Sequence, residues 1–120
     1  MLMVAVGGCR YFNDRLEVFT GLDVCLAPYK DKETIVIMSG HCTGVDRLAE
    51  EYAKKHHYKL MLFPANWEKY GKAAGPKRNR KMVEKADLVI AFWDLMSKGT
   101  GSFVEYARKM KKTLRIIEII

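Results

Sequence analysis

Three short apolar runs in this chain each break off into a polar loop that carries glycine, and each loop opens a helix-like stretch. Met3-Val4-Ala5-Val6 runs into Gly7-Gly8-Cys9-Arg10, and Ile35-Val36-Ile37-Met38 into Ser39-Gly40-His41-Cys42-Thr43-Gly44-Val45-Asp46. Leu88-Val89-Ile90-Ala91-Phe92-Trp93 runs into Asp94-Leu95-Met96-Ser97-Lys98-Gly99-Thr100-Gly101-Ser102. A strand that is apolar at successive positions is covered on both faces, which is the condition of a parallel sheet with helices above and below it. Strand-like and helix-like periods alternate along the whole chain. The class expected is therefore α/β, with a five-stranded, mainly parallel sheet flanked by helices.

Strands are predicted over Met3–Val6, Thr34–Ser39, Lys59–Phe63, Asp87–Trp93 and Leu114–Ile119. The first helix is predicted to start at Asn13 as N-cap, to present Leu16, Phe19, Leu22 and Leu26 on one side, and to stop before Pro28. The second carries the stripe Val45, Leu48, Ala49, Tyr52 and Ala53, with Thr43 as N-cap and Asp46 as a capping acid. Pro76 suits the first turn of a third helix, which turns Met82, Val83 and Ala86 inward. A fourth starts near Thr100 or Ser102 and buries Phe103, Val104 and Ala107.

A chain of 120 residues with 49% apolar content is expected to form a single domain over 1–120 with its own core. Cys9, Cys25 and Cys42 are odd in number and lack C-x-x-C spacing, which suggests a reducing compartment and free thiols lining a pocket. The start of the chain has no basic flank, and no apolar run approaches a membrane span. The expectation is a soluble cytoplasmic protein with no membrane partner. Its net charge of +7 is concentrated between Lys69 and Lys85, where seven basic residues face one acid, Glu84. Such a tract is either a solvated helix face or a patch that attracts anions.

Ligands of open α/β sheets bind outside the carboxyl ends of the strands, where glycine admits close backbone approach and a helix start favours an anion. Ser39-Gly40 and Thr43-Gly44 surround one such start. The loop lacks the Gly-Lys-Ser/Thr ending of a P-loop and is no dinucleotide fingerprint, so no cofactor or metal is implied. Ser97-Lys98-Gly99-Thr100-Gly101-Ser102 is richer, with three hydroxyls and one lysine at a strand-to-helix junction. The connection from Phe63 to Asn79 is long for a βα loop, and long loops in compact domains are often functional. Within it Trp67 and Tyr70 are suited either to stacking on a base or to pinning the loop, and Arg78 and Asn79 add charge and hydrogen bonds. Arg10 and Asp94 face one crevice if their strands adjoin, as ligand contacts or as an ion pair. Together these residues point to a phosphate-bearing small molecule.

Taken in order, these blocks resemble the YspA-like branch of the SLOG superfamily, relatives of the DprA and LOG proteins. The matching stretches are Val6-Gly7-Gly8-Cys9-Arg10-Tyr11-Phe12, Ser39-Gly40 with Gly44-Val45-Asp46, Phe63-Pro64-Ala65-Asn66-Trp67, Gly71 to Asn79 with Met82, and Ala91-Phe92-Trp93-Asp94 with Ser97-Lys98-Gly99-Thr100. The resemblance implies a three-layer Rossmann-like fold and a pocket for nucleotides or nucleotide-derived molecules. By matching positions it places Gly8, Arg10, Ser39, Gly40, Gly44, Asp46, Arg78, Asn79, Ser97, Gly99 and Thr100 in the site. The pattern departs from the family at His41 and Leu95, where glycine is usual, and at Asn66, where an acid is usual. His41 and Leu95 are expected to narrow the pocket or to change the backbone. LOG-type phosphoribohydrolases carry a glutamate where this chain has Phe103, and an apolar side chain cannot act as acid or base.

The leading expectation is a binding or sensing module for a nucleotide-derived ligand, with phosphate at the helix starts near Thr43 and Thr100. Arg78 and Asn79 would clamp ribose or phosphate, and Trp67 would cover the base. An alternative is a hydrolase that cleaves an N-glycosidic or phosphate bond, with Glu105, Asp46 or Asp94 as acid or base. A second alternative is single-stranded nucleic-acid binding through Lys69–Lys85. A fairly apolar helix surface leaves room for a homodimer.

Overall fold

The apolar runs form strands that stack side by side in one sheet. In the computed structural model, which describes Met1–Ile120, the strands are β1 (Leu2–Gly8), β2 (Ile35–Ser39), β3 (Lys59–Leu62), β4 (Leu88–Trp93) and β5 (Thr113–Glu118). The helices are α1 (Arg15–Leu26), α2 (Val45–Lys55), α3 (Trp67–Tyr70), α4 (Ala74–Lys85) and α5 (Lys98–Lys109), with a 3-10 turn over Gly71–Ala73. The strand order is β3-β2-β1-β4-β5, and all four pairings are parallel. The chain grows outward from β1 to β3 and then returns to β4 on the other side. The order therefore reverses between β1 and β4, which is where open sheets leave a crevice.

Successive side chains on a strand point to opposite faces. Val4, Val6, Ile35, Ile37, Leu88 and Ile90 pack with Val18, Leu22, Leu48 and Tyr52 of α1 and α2. Ala5, Met38, Val89 and Ala91 pack with Met82, Val83, Phe103 and Val104 of α4 and α5. The result is a three-layer, Rossmann-like fold. Double coverage fails at the two edge strands: Met61 and Leu62 of β3 are 38% and 45% exposed, and β5 alternates exposed and partly buried residues.

Several local expectations shift. Asp14, rather than Asn13, caps α1 by accepting from the Glu17 amide at 3.1 Å. The buried face of α1 is Val18, Leu22, Cys25 and Leu26, while Leu16 is exposed. The α2 stripe is buried as expected, but its N-cap is Gly44 with no side-chain cap bond. Helix α5 begins at Lys98, earlier than expected, with Ser97 as N-cap. The long connection after β3 holds the single turn α3, capped by Asn66, whose side chain accepts from the Lys69 amide at 3.1 Å. Asparagine is among the best N-caps, which suits Asn66 to this position.

Gly7 and Gly8 belong to β1 rather than to a loop. A β-carbon on Gly7 would come within 2.8 Å of the Phe103 ring, and one on Gly8 within 2.7 Å of both the Phe92 carbonyl and Val45. These glycines let α2 and α5 close onto the central strand. Gly44 is constrained more severely. It has φ +78°, and a β-carbon there would meet the carbonyl oxygens of Arg10 and Cys9.

Gly44→Ala is therefore expected to destabilise the fold by more than about 2 kcal/mol in urea unfolding, through strain and a backbone clash together. Gly99→Ala, where a β-carbon meets nothing within 4 Å, is expected to change stability by less than about 1 kcal/mol. Equal effects of the two substitutions would contradict the packing described at Gly44.

Candidate functional site

The carboxyl ends of β1, β2 and β4 open onto a cavity of about 560 Å³. Its floor is formed by Val6, Gly7 and Gly8 of β1. Gly75, Arg78, Asn79 and Met82 of α4 and Lys98, Gly99, Thr100 and Phe103 of α5, which pack on the same face of the sheet, form its helical walls. Gly40, Cys42 and Asp46, with Cys9, Arg10, Tyr11 and Trp67, complete the lining. Of the residues singled out from the sequence, Gly8, Arg10, Gly40, Asp46, Trp67, Arg78, Asn79, Ser97, Gly99 and Thr100 line this cavity, whereas Ser39, Thr43, Gly44 and Asp94 do not.

Arg78 is 8% exposed, and its donors are largely taken up by the protein itself. Nη1 donates to the Gly40 carbonyl at 2.6 Å and reaches the Phe63 carbonyl at 3.4 Å. Nε donates to Asn79 Oδ1 at 2.8 Å, and Nη2 lies 3.6 Å from Cys42 Sγ. Asn79 Nδ2 in turn reaches the Gly99 carbonyl at 3.5 Å. The expected ligand clamp is thus first a tie that holds the ends of β2 and β3 against α4 and α5.

Three of the four residues outside the lining hold the β2 and β4 loops in shape, and Thr43 hydrogen-bonds the β1 loop. Ser39 Oγ is fully buried; it donates to Glu50 Oε2 at 2.8 Å and accepts from the His41 amide at 3.1 Å. His41 takes a left-handed backbone, with φ 61°, and its Nδ1 is held by Glu50 at 2.9 Å. Thr43 Oγ1 donates to the Arg10 carbonyl at 3.2 Å, and the Val45 amide reaches the Cys9 carbonyl at 3.4 Å. The start of α2 therefore leans on the β1 loop, and neither Thr43 nor Gly44 lines the cavity.

Asp94 does not pair with Arg10. Its Oδ2 accepts from Tyr11 Oη at 2.6 Å and Ser97 Oγ at 3.0 Å, and its Oδ1 from the amides of Met96 and Ser97 at 2.9 and 2.7 Å. The Tyr11 bond, followed by the two amides, holds this carboxylate well below the usual range, and the same bond raises the Tyr11 phenol. Leu95 takes φ 65°, the left-handed conformation its position requires. Neither Leu95 nor His41 lines the cavity, so neither narrows it. Glu105 lies on the exposed side of α5, 3.9 Å from Arg108, and is also outside the cavity.

Two features are left open to a ligand. The first-turn amides of Lys98, Gly99 and Thr100 have no intrahelical acceptor, and these residues line the cavity. The positive end of α5 and the Lys98 ammonium favour an anion there. Arg10 places its guanidinium carbon 5.6 Å from the centre of the Trp67 ring and takes part in no ion pair.

Asp46 is the one carboxylate lining the cavity. It is 6% exposed, and burial pushes its pKa up to about 6, against the opposing pull of the Cys42 amide and the Arg78 guanidinium. Sequence patterns missed Tyr11, Gly75, Met82 and Phe103 as lining residues, whereas Cys9 and Cys42 line the cavity as free thiols, as expected.

A family model described as the YspA, cpYpsA-related SLOG family matches residues 2–70. The Gene 61 protein of Mycobacterium phage D29 is 32% identical over 117 residues, spanning 91% of this chain and 90% of that protein. DNA processing protein A from Streptococcus pneumoniae superposes at a TM-score of 0.77 and 19% identity, over 100% of this chain and 51% of that one. The same protein from Helicobacter pylori, solved for its single-stranded DNA binding mode, superposes at 0.68 and 24% identity, over 99% and 66%. The chain thus spans about half the length of the pneumococcal protein.

Because Asp46 has a raised pKa in the fold, it favours the folded state while protonated. That contribution is fully present below about pH 4 and is lost as pH rises through about 6. Asp46→Asn removes the titration. The stability of the variant relative to the native chain is expected to rise by about 2 kcal/mol between pH 4 and 7, measured by urea unfolding. A difference that stays flat across this window would mean that the carboxylate is not desolvated.

Proposed function

The chain belongs to the YspA, cpYpsA-related SLOG family, and on that footing we propose that it binds or senses a nucleotide-derived small molecule at the carboxyl rim of its sheet. The cavity carries the reading: it has unoccupied donors at a helix start on one side and an aromatic ring under a free guanidinium on the other. A phosphate suits the amides of Lys98, Gly99 and Thr100, with Lys98 adding charge. A base suits the Trp67 face, which is 47% exposed and already attracts Arg10. Family membership and the Rossmann-like fold both fit nucleotide or nucleic-acid binding and leave the ligand itself to experiment. The reading does not require turnover. Of the three carboxylates weighed for acid–base work, Asp94 is locked by Tyr11 and Glu105 faces outward, which leaves Asp46 alone in the cavity.

One observation favours nucleic acid as a second reading. On the far side of α4 from the cavity, Tyr70, Lys77, Arg80, Lys81 and Glu84 line a shallow groove of about 270 Å³. The ammonium groups of Lys69 and Lys77 lie 5.2 and 4.9 Å from the centre of the Tyr70 ring. Glu84 is taken by Arg80 at 3.2 Å, so these lysines have no carboxylate partner. An aromatic ring flanked by unpaired lysines is the pattern that holds single strands without sequence preference, and a structural neighbour binds single-stranded DNA.

Calorimetry with a panel of nucleoside phosphates is expected to find binding that Trp67→Ala weakens by about 10- to 100-fold without unfolding the protein. No binding at millimolar nucleotide by folded protein would end the primary reading. If the Tyr70 groove binds single strands, log affinity for an oligonucleotide falls against log salt with a slope of about −2 to −3, and Lys77→Ala with Lys81→Ala flattens it. Absence of binding at low salt would remove this second mode.

A further inference from the structure

Asp46 sits where an anion site should exclude it. The cavity gathers Arg10, Arg78 and Lys98, yet one carboxylate is buried among them. Its Oδ2 accepts from the Cys42 amide at 3.2 Å, and it forms no ion pair. Oδ1 accepts from no donor in the protein, and it is not among atoms sealed from solvent without a partner. Since the residue is 6% exposed and lines the cavity, the space that Oδ1 meets is the cavity itself. A buried carboxylate oxygen with no donor is costly unless something supplies one. In a site built only for phosphate it would repel the ligand.

The shared lining says which part of a nucleotide would meet it. Trp67 and the start of α5 both line the cavity, and Asp46 lines it with them, its carboxylate beside Gly40 at the end of β2. What joins a base on Trp67 to a phosphate on α5 is the sugar. We infer that Asp46 is a specificity-determining residue whose free carboxylate oxygen accepts a hydrogen bond from a ribose hydroxyl, so that the cavity selects ribonucleotides over their deoxy counterparts. The inference rests on the nucleotide reading and goes beyond it. Arg78 from α4, Glu50 from its own helix and Arg10 from the β1 loop are the charged groups that act on Asp46, and all three are present whether or not a hydroxyl is.

Adenosine, guanosine, cytidine and uridine 5′-phosphates and their 2′-deoxy and 3′-deoxy analogues are titrated into the full chain by calorimetry. The native protein is expected to bind a ribonucleotide about 10- to 100-fold tighter than the analogue lacking the contacted hydroxyl. Asp46→Ala, checked for folding by thermal unfolding, is expected to bring the two within about 2-fold, because it leaves the hydroxyl no hydrogen-bond partner at this position. The ribo-to-deoxy ratio of the native protein should also shrink as pH falls below about 6. The titration of the phosphate itself cancels in that ratio. Equal affinity for ribo and both deoxy forms, or a preference that survives in Asp46→Ala, overturns the assignment while leaving the nucleotide reading intact. Failure of every nucleotide to bind folded protein overturns both.

Discussion

Everything at the rim of this sheet depends on one buried guanidinium. Arg78 reaches from α4 to the carbonyl of Gly40, where β2 ends, and toward that of Phe63, where β3 ends. These carbonyls leave the ladder as the strands stop, and without a donor they would be unsatisfied groups at the base of a cavity. The tie also fixes its surroundings. A β-carbon on Gly40 would come within 2.5 Å of Arg78 Nη1 and 2.9 Å of Asp46 Oδ2, so only glycine fits at that position. Arg78 and Asp46 make each other tolerable: a buried cation and a buried anion side by side desolvate at lower cost than either alone. Asn79 extends the tie across the cavity to Gly99 and sets the spacing between the two helix walls.

The strand-end loops divide the remaining polar groups between shape and function. In the β2 loop, Ser39, His41, Glu50 and the Cys42 amide satisfy one another or Asp46, and the start of α2 leans on the carbonyls of Cys9 and Arg10. In the β4 loop, Asp94 gathers Tyr11, Met96 and Ser97, which shapes the turn and leaves the next amides of α5 free. Two loops that look alike in composition therefore play opposite parts. One helix start leans on the β1 loop, and the other lines the cavity. The left-handed residues His41 and Leu95 show the same economy: each costs about 1–2 kcal/mol as a non-glycine, and at His41 the bond to Glu50 helps hold the conformation.

Much of the fold was legible because its cause is local. Continuous apolar runs at Val4–Val6, Ile35–Met38 and Leu88–Phe92 can only be strands covered on both sides, and the stripes through Leu48 and Tyr52 or Phe103 and Ala107 can only be helices turned inward. The edge strand β3 was harder, because exposure at Met61 and Leu62 depends on where a strand lies in the sheet. The cap of α1 moved by one residue, from Asn13 to Asp14, since two capping residues stand side by side.

Residue type and position relative to a strand, both written in the sequence, determined that several polar loops would meet at one edge of a parallel sheet and that Arg10, Gly40, Arg78 and Gly99 would stand there. Which of their hydrogen bonds the protein keeps for itself is decided only by tertiary structure. Donors and acceptors far apart along the chain, such as Arg78 and Gly40 or Tyr11 and Asp94, find each other only when the sheet order brings their strands together. A hydrogen bond depends on distances of a few tenths of an ångström, which no spacing along a chain specifies.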